Sequence, residues 1–348
     1  MLKVALWGAN GMAGGEMLRL ISGHPSMDLA VAVSRSMASR PIWNTHPHLR
    51  QDYPTAVFTE PDKALKEDVD IVFLALPHGA SWPIILEYMK MTNYVKIVDL
   101  SADARLSSTD DYIKWYGKPH EAPWILEKSV YGLAELHRES IPDAKLVSGV
   151  GCNSTCSILG LYPLAREGLI QSARIELRTG SSESGARAST GTHHPYRDRT
   201  LRIYEPFRHR HLAEIVQELE LSEDIFTMTM TAAGMVRGVQ MLAQVELSKE
   251  VKESTLWKIY KKYYNDEPFL SLSPAKPKHL RFPDPKLVLG SNRAVTGFQL
   301  HDDSRRLLVV SAIDNLMKGA SGSAMQCANL MAGIPETSGL EMKPVYPV

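Results

Sequence analysis

The sequence has few cysteines, no long apolar run and no excess of either charge. Its three cysteines, Cys152, Cys156 and Cys327, are too few for a disulfide framework and lack zinc-ligand spacing, so we expect no metal and a reducing, cytoplasmic location. Its longest apolar runs, such as residues 69–77, fall far short of the roughly 20 residues that cross a bilayer, which predicts no membrane helix. The 39 basic and 39 acidic residues cancel, which argues against nucleic-acid binding.

What is present is an ordinary globular composition, with 44% hydrophobic and 22% charged residues. At roughly 150 residues per domain, a chain of 348 residues predicts about two domains. The N-terminal segment runs directly into glycines and lacks the apolar core of a secretory signal, so we expect it to be mature protein.

The first half of the chain alternates apolar segments with amphipathic ones. Strands are predicted at residues 3–7, 28–34, 68–77 and 94–102. Helical segments follow the first and third of them. This alternation predicts a parallel sheet covered on both faces, in a first domain over residues 1–150.

The pattern of the second half predicts a more antiparallel α+β domain over residues 151–313. Strands are predicted at residues 173–180, 225–233, 238–247 and 305–313, and helices at 211–221 and 252–264. The proline-rich segment 266–285 predicts a surface excursion. The small residues of the last helix, about 318–331, suggest close packing on the first domain, so that residues 314–348 would complete it.

A glycine turn lies where the first strand gives way to a helix. Glycines at such a turn let the backbone approach a pyrophosphate, which the helix N-terminus stabilises. A turn that only packs is the alternative. The predicted cofactor contacts here are Gly8, Ala9, Asn10, Gly11 and Gly14.

The end of the second predicted strand indicates which dinucleotide is bound. NAD-specific enzymes usually carry an acidic residue there, whereas this chain has Ser34, Arg35 and Ser36, with Arg40 nearby. Hydroxyls and a guanidinium suit a 2′-phosphate, so NADP is favoured over NAD. A solvated basic turn is the alternative.

Cys152 is the candidate nucleophile, because it precedes a helical segment whose positive end would stabilise a thiolate. Backbone N–H groups of that turn, or the Asn153 amide, are candidates for binding an oxyanion. The alternative is a small buried cysteine, which is how we interpret Cys156 and Cys327.

Histidines and arginines are concentrated in segments 193–199 and 208–214, where one imidazole could serve as general acid/base. In a chain without net charge, clustered arginines would attract an acidic partner. A solvated basic face is the alternative. The arginines concerned are Arg197, Arg199, Arg202, Arg208 and Arg210, which Arg178 and Arg187 could join.

These motifs together resemble the acyl-phosphate reductases of the aspartate-semialdehyde dehydrogenase and N-acetyl-γ-glutamyl-phosphate reductase superfamily, over nearly the whole chain. The blocks that carry the resemblance are GANGMAGGEMLRLISGHP, SRSMASRP, ALPHGAS, VDLSADARL and YGLAEL. The resemblance implies a Rossmann-type NADP-binding domain, an α+β catalytic and dimerisation domain, and a homodimer or homotetramer.

Within the superfamily, residues 151–155 (GCNST), 180–186 and 192–195 are most similar to the LysY-type branch. That branch reduces aminoadipyl or glutamyl phosphate attached to the small acidic carrier protein LysW, in lysine and sometimes arginine biosynthesis. N-acetyl-γ-glutamyl-phosphate reductase, which takes a free substrate, is the alternative activity. A non-catalytic NADP sensor is the alternative of another class.

The resemblance also implies roles for individual residues. Cys152 matches the nucleophile and His211 the acid/base, with His209 as the second candidate. The implied substrate contacts are Arg105, which would bind the phosphate, and Asn153, Ser182 and His209. Asn315 and Gly319 match the late segment that contacts the nicotinamide half of the cofactor.

Overall fold

The computed structural model describes residues 1–91 and 94–348 of the chain. The chain divides into two units, the first formed by residues 1–150 and 320–341, the second by 151–319 and 342–348. Of residues 314–348, which were predicted to complete the first domain, residues 320–341 belong to the first unit, and residues 314–319 and 342–348 to the second. Residues 314–319 stay in the second unit, where Asp314 pairs with Arg237 at 2.9 Å.

The first unit is built on a six-stranded sheet in which every neighbouring pair is parallel. Its strand order is β2-β1-β3-β4-β6-β5. The strands are β1 (Leu2–Trp7), β2 (Met27–Val33), β3 (Ile71–Leu74), β4 (Lys96–Asp99), β5 (Ser129–Tyr131) and β6 (Leu146–Ser148). All four residues of β3 are buried, as in a sheet covered on both faces. The predicted parallel sheet is confirmed.

Helices of the first unit follow its strands. They are α1 (Met12–Ser22), α2 (Pro61–Ala64), α3 (Trp82–Met91), α4 (Thr109–Tyr116), α5 (Trp124–Lys128) and α6 (Ala134–His137), with 3-10 turns at Ile42–Asn44 and Pro47–Leu49. Helix α4 begins after Ser108, whose hydroxyl accepts a hydrogen bond from the Asp111 N–H, and it ends at Gly117 in the left-handed conformation.

A seven-stranded mixed sheet forms the second unit, in the order β11-β12-β13-β10-β7-β9-β8. The strands are β7 (Ile170–Thr179), β8 (Leu201–Tyr204), β9 (Phe226–Ala233), β10 (Val239–Leu247), β11 (Leu270–Leu272), β12 (Ala294–Leu300) and β13 (Arg306–Ile313). The pairs β7/β9 and β11/β12 are parallel and the other four are antiparallel. Strand β11 lies within the predicted proline-rich excursion, so that segment is not wholly irregular.

The helices of the second unit are α7 (Cys152–Arg166), α8 (His194–Arg197), α9 (His211–Leu219) and α10 (Glu253–Tyr264). Shorter turns lie at Ser181–Ser184, Glu223–Ile225, Lys278–Leu280 and Pro285–Leu287. A π-helix at Met317–Ser321 spans the boundary between the two units along the chain. Helix α7 packs on β7, β10 and β13, and α9 and α10 pack on α7. Buried α7 therefore fixes the position of its first residue, Cys152.

The last helix, α11 (Gly322–Met331), belongs to the first unit. It contacts β4 and α1, and the Asn329 side chain lies 3.0 Å from the His24 ring. The predicted return of the C-terminal helix to the first domain is confirmed. Over the described ranges, no helix combines the length and apolarity needed to cross a bilayer.

Candidate active site

Cys152 is the first residue of α7 and is partly buried. Gly151 precedes it and offers no side-chain cap to the helix. Since the first N–H groups of a helix have no intrahelical partner, they and the helix dipole favour negative charge beside Cys152. The local structure therefore suits a thiolate or a developing oxyanion.

Glu183 lies against the cysteine, in the 3-10 turn Ser181–Ser184 that follows β7. The Cys152 thiol donates to Glu183 Oε1 across 3.5 Å, and the side-chain amide of Asn153 donates to the same oxygen. Burial raises the pKa of Glu183, against the opposing effect of its hydrogen bonds. Sequence reasoning missed this residue, although it is the one ionisable side chain in the segment 180–186 that carried the resemblance.

His211 completes the cluster from the first residue of α9, where it is buried. A ring nitrogen of His211, the Cys152 sulfur and a Glu183 oxygen all lie within 4.8 Å of one another. A thiol with two proton acceptors is suited to nucleophilic catalysis. The same three donors also suit zinc, and the expectation that no metal is bound stays a prediction.

Glu214 connects the two helices that carry Cys152 and His211. Its Oε2 accepts hydrogen bonds from the Gly151 N–H at 2.9 Å and the Ser154 hydroxyl at 2.8 Å, and its Oε1 lies 3.9 Å from His211 Nε2. Glu214 is fully buried, so these contacts hold the start of α7 against α9. Sequence reasoning missed it too, although its spacing of three residues from His211 places both on one helix face.

His209 lies beside His211 rather than replacing it. Its Nδ1 accepts a hydrogen bond from the His211 N–H at 3.2 Å, and the two ring centroids are 4.5 Å apart. Burial, followed by the charge of Arg210, lowers the pKa of His209 to about 4. At neutral pH this ring is uncharged.

Ser182 and Asn315 form a buried pair. Asn315 Nδ2 donates to the Ser182 hydroxyl at 2.9 Å, and Asn315 Oδ1 accepts from the Gly238 N–H at 2.8 Å. The Ser182 hydroxyl also donates to the Val236 carbonyl at 2.7 Å. These side chains thus connect the 3-10 turn that carries Glu183 to the end of β13.

Gly319 lies directly against Cys152. A Cβ atom added to it would be 2.6 Å from the Cβ of Cys152, within the second unit. The structure therefore gives Gly319 a steric role at Cys152, beyond the cofactor contact that the resemblance implies.

The arginine cluster is only partly a surface. Arg197 is buried and donates to the Thr179 carbonyl at 2.8 Å, so including it in a docking face was wrong. Arg178 pairs with Glu176 at 3.1 Å, which offsets its charge. The exposed members are Arg187, Arg199, Arg202, Arg208 and Arg210.

The glycine turn of the first unit connects β1 to α1. Gly8 has a φ of +72°, and a Cβ there would lie 2.1 Å from the Ala75 carbonyl oxygen, so only glycine fits. Ala9 is buried, and its N–H donates a hydrogen bond to the Val33 carbonyl. Asn10 and Gly11 are partly exposed. Gly14 packs against this turn at the start of α1.

The segment after β2 presents its charge to solvent. Arg35 and Ser36 are exposed, while Ser34 is buried and its hydroxyl accepts a hydrogen bond from the Met37 N–H at 3.3 Å. An uncapped helix N-terminus and an exposed guanidinium after the second strand are donors that fit a dinucleotide carrying a 2′-phosphate.

Arg105 is a buried residue of the first unit. Its guanidinium donates to the carbonyls of Ser101 at 3.0 Å and Leu100 at 3.1 Å. These bonds fix its orientation, and its predicted contact with substrate phosphate stays a prediction.

The matches to known protein families divide the chain into nearly the same two parts as the structure does. Residues 3–144 match the family described as semialdehyde dehydrogenase, NAD binding domain, and residues 152–315 match semialdehyde dehydrogenase, dimerisation domain. A protein of Cenarchaeum symbiosum, named as a LysW-L-2-aminoadipate/LysW-L-glutamate phosphate reductase, is 43% identical over 100% of both chains. The chain belongs to this reductase family. A Thermomicrobium roseum relative, named as a LysW-L-2-aminoadipate 6-phosphate reductase, is 40% identical over 100% of this chain and 99% of its own.

Solved structures show the same fold at low identity. Aspartate semialdehyde dehydrogenase II of Vibrio cholerae superposes with a TM-score of 0.68 at 14% identity, covering 96% of this chain and 98% of its own. The enzyme of Francisella tularensis gives 0.67 at 12% identity, covering 95% and 100%. The predicted combination of an N-terminal Rossmann domain with an α+β dimerisation domain is confirmed.

Proposed function

We propose that this chain is an NADPH-dependent acyl-phosphate reductase. It reduces L-2-aminoadipate 6-phosphate or glutamate 5-phosphate, linked to the carrier protein LysW, to the semialdehyde, in lysine and possibly arginine biosynthesis. The observation that carries the proposal is the convergence of Cys152, Glu183 and His211 at the start of α7, in a chain 43% identical to a protein of that name.

Cys152 is the nucleophile. Its sulfur attacks the acyl carbon, the carbon–oxygen bond to phosphate breaks, and a thioester remains on the enzyme. Because the Asn153 amide is bonded to Glu183, we assign the developing oxyanion to the backbone N–H groups at the start of α7. Arg105 is proposed to offset the charge of the leaving phosphate.

The hydride that reduces the thioester comes from NADPH, when it is bound. The residues proposed to hold it are Gly8, Ala9, Asn10, Gly11, Gly14, Ser34, Arg35, Ser36, Asn315 and Gly319. We favour NADPH over NADH because Arg35 is exposed after β2, with no acidic residue beside it in the sequence.

His211 is proposed to donate a proton to the oxygen of the resulting thiohemiacetal. It takes this proton back as the carbon–sulfur bond breaks, the carbonyl forms and the aldehyde is released. Its ring nitrogen lies within 4.8 Å of the Cys152 sulfur. His209 is the second candidate, because it packs on the His211 ring. Replacing each by asparagine separately decides between them, since the residue that acts should cost on the order of 100-fold or more in kcat.

The acidic carrier is proposed to dock on the exposed side chains of segment 196–210, which exclude the buried Arg197. Arg199, Arg202, Arg208 and Arg210 are exposed there, beside Leu201 and Phe207, whose surfaces are 77% and 75% accessible. Positive charge around apolar side chains suits an acidic protein surface. Carrier binding should therefore weaken as salt rises and after Arg202→Glu, but not after Arg293→Glu, an exposed arginine outside the segment.

Homo-oligomerisation is proposed as well, as a homodimer or homotetramer, supported by the match of residues 152–315 to a dimerisation domain. Light scattering on the purified chain measures the stoichiometry.

Substrate comparison is the test of the proposed function. The enzyme should reduce carrier-linked aminoadipyl or glutamyl phosphate with NADPH much faster than N-acetylglutamyl phosphate. The opposite preference would assign the chain to the free-substrate reductases, and turnover of neither would remove the proposal.

A further inference from the structure

The site places two proton acceptors, Glu183 and His211, near a single thiol, and the reaction transfers protons at two different atoms. The thiol proton must leave sulfur when the thioester forms, and another proton must reach the carbonyl oxygen after reduction. Glu183 Oε1 accepts a hydrogen bond from the sulfur itself at 3.5 Å, and His211 Nε2, on α9, lies 3.9 Å from Glu214 Oε1. The site thus offers one group for each of the two protons.

We propose that Glu183 is a catalytic residue that takes the thiol proton from Cys152 and later returns it to sulfur. This inference rests on the proposed function. In acylation the S–H bond breaks, its proton binds Glu183 Oε1, and the sulfur electron pair forms the bond to the acyl carbon as phosphate departs. When the aldehyde leaves, His211 takes back the oxygen's proton as the carbonyl forms, the carbon–sulfur bond breaks, and sulfur recovers its own proton from Glu183. His211 is then kept for the oxygen.

The surroundings of Glu183 favour this exchange. Asn153 donates to the same oxygen and so fixes it toward the sulfur. Burial raises the pKa of Glu183, which makes it a better proton acceptor than an exposed carboxylate. The charged or titratable groups that face it from other elements are Cys152, Tyr204, Arg197, Arg210 and His211.

A carboxylate next to a thiol can also act only by repulsion, because a negative charge disfavours the thiolate. The two roles predict opposite changes in the acylation rate of Glu183→Gln. This substitution removes the charge and the proton-binding site but keeps an acceptor oxygen. A proton acceptor makes the variant slower in acylation, whereas a merely repelling charge makes it faster.

The experiment compares the full-length wild type with Glu183→Gln and with the control Glu250→Gln, an exposed carboxylate outside the proposed docking segment. One readout is the burst of phosphate released from carrier-linked aminoadipyl phosphate without NADPH. The other is the rate of Cys152 alkylation by iodoacetamide at pH 6, which needs no substrate. We expect Glu183→Gln to slow the burst by on the order of 100-fold and to slow alkylation, with Glu250→Gln unchanged.

A burst or an alkylation rate in Glu183→Gln that equals or exceeds the wild-type value would overturn the inference. If that variant does not fold, Glu183→Asp is used instead. It shortens the side chain by one methylene and so moves the carboxylate away from sulfur, and it must acylate more slowly than the wild type. Failure of the proposed function is a distinct result, because the wild type itself would then give no burst while Cys152 still alkylated.

Discussion

Gly319 and Cys152 touch so closely that a Cβ on the glycine would lie 2.6 Å from the cysteine Cβ and 3.1 Å from its Cα. Contacts this short require one of the two residues to shift, because the atoms that the added Cβ would meet are the Cβ and Cα of Cys152. Gly319→Ala should therefore displace Cys152, lower kcat at least tenfold and cost about 1–3 kcal/mol of stability, the usual effect of overpacking.

Steady-state kinetics and thermal melting measure these two effects. The matched control is Gly23→Ala at the end of α1, where an added Cβ meets no atom within 4 Å. Normal kcat and melting in Gly319→Ala would show that the site accommodates the methyl group.

Glu214 is expected to position the nucleophile through the start of α7. In Glu214→Ala the Gly151 N–H loses its acceptor in a buried setting, which costs about 1–3 kcal/mol. The urea midpoint and kcat should fall together. Glu220→Gln, which removes an exposed charge paired with Arg166 at 3.5 Å, should change neither much. Equal effects of both variants would remove the special role of Glu214.

Much of the fold could be predicted because buried strands have continuous apolar sequences. Strand β3 is an example, since all its residues are buried and apolar. Strand β8 was not predicted, because three of its four residues are exposed and it pairs only with β9 in the sheet order. Its position at the sheet edge depends on pairing with β9, which lies 22 residues or more further along the chain. A local sequence pattern does not predict such a pairing.

Site residues could be predicted where a reactive residue type lies at the start of a helix, as Cys152 does. They could not be predicted where tertiary contacts bring a residue into the site. Glu183 becomes part of the site because the turn after β7 brings it to α7. Arg197 looks like its exposed neighbours in the sequence, yet it is buried because its guanidinium meets the Thr179 carbonyl. Neither fact can be read from spacing along the chain.

Cofactor preference is expected to depend on Arg35. A carboxylate in its place would repel a 2′-phosphate and accept hydrogen bonds from a ribose hydroxyl. Arg35→Asp should therefore shift the ratio of kcat/KM for NADPH over NADH toward NADH by tenfold or more. Arg50→Asp, the same charge change at another exposed arginine of the first unit, should leave the ratio unchanged. An unaltered ratio in Arg35→Asp would show that Arg35 does not contact the cofactor.

Stability should decrease at acid pH because of His209. Its folded pKa of about 4 lies below the ordinary value of 6.5. Between about pH 6.5 and pH 4 the unfolded chain therefore binds a proton that the folded chain does not, and stability falls as the pH falls through that window.

The comparison of urea midpoints at pH 7 and pH 5 tests this, using His209→Gln. The variant should lose less stability than the wild type on acidification, whereas the exposed His279→Gln should behave as wild type. An identical acid loss in all three proteins would contradict the lowered pKa of His209.

Covalent catalysis by Cys152 is the claim on which the mechanism depends, and mass spectrometry of the acid-quenched enzyme tests it most directly. After incubation with carrier-linked aminoadipyl phosphate without NADPH, the peptide that contains Cys152 should carry the acyl group. Hydroxylamine should remove that mass, and Cys152→Ser should form no thioester. Phosphate release without any adduct on Cys152 would contradict the account.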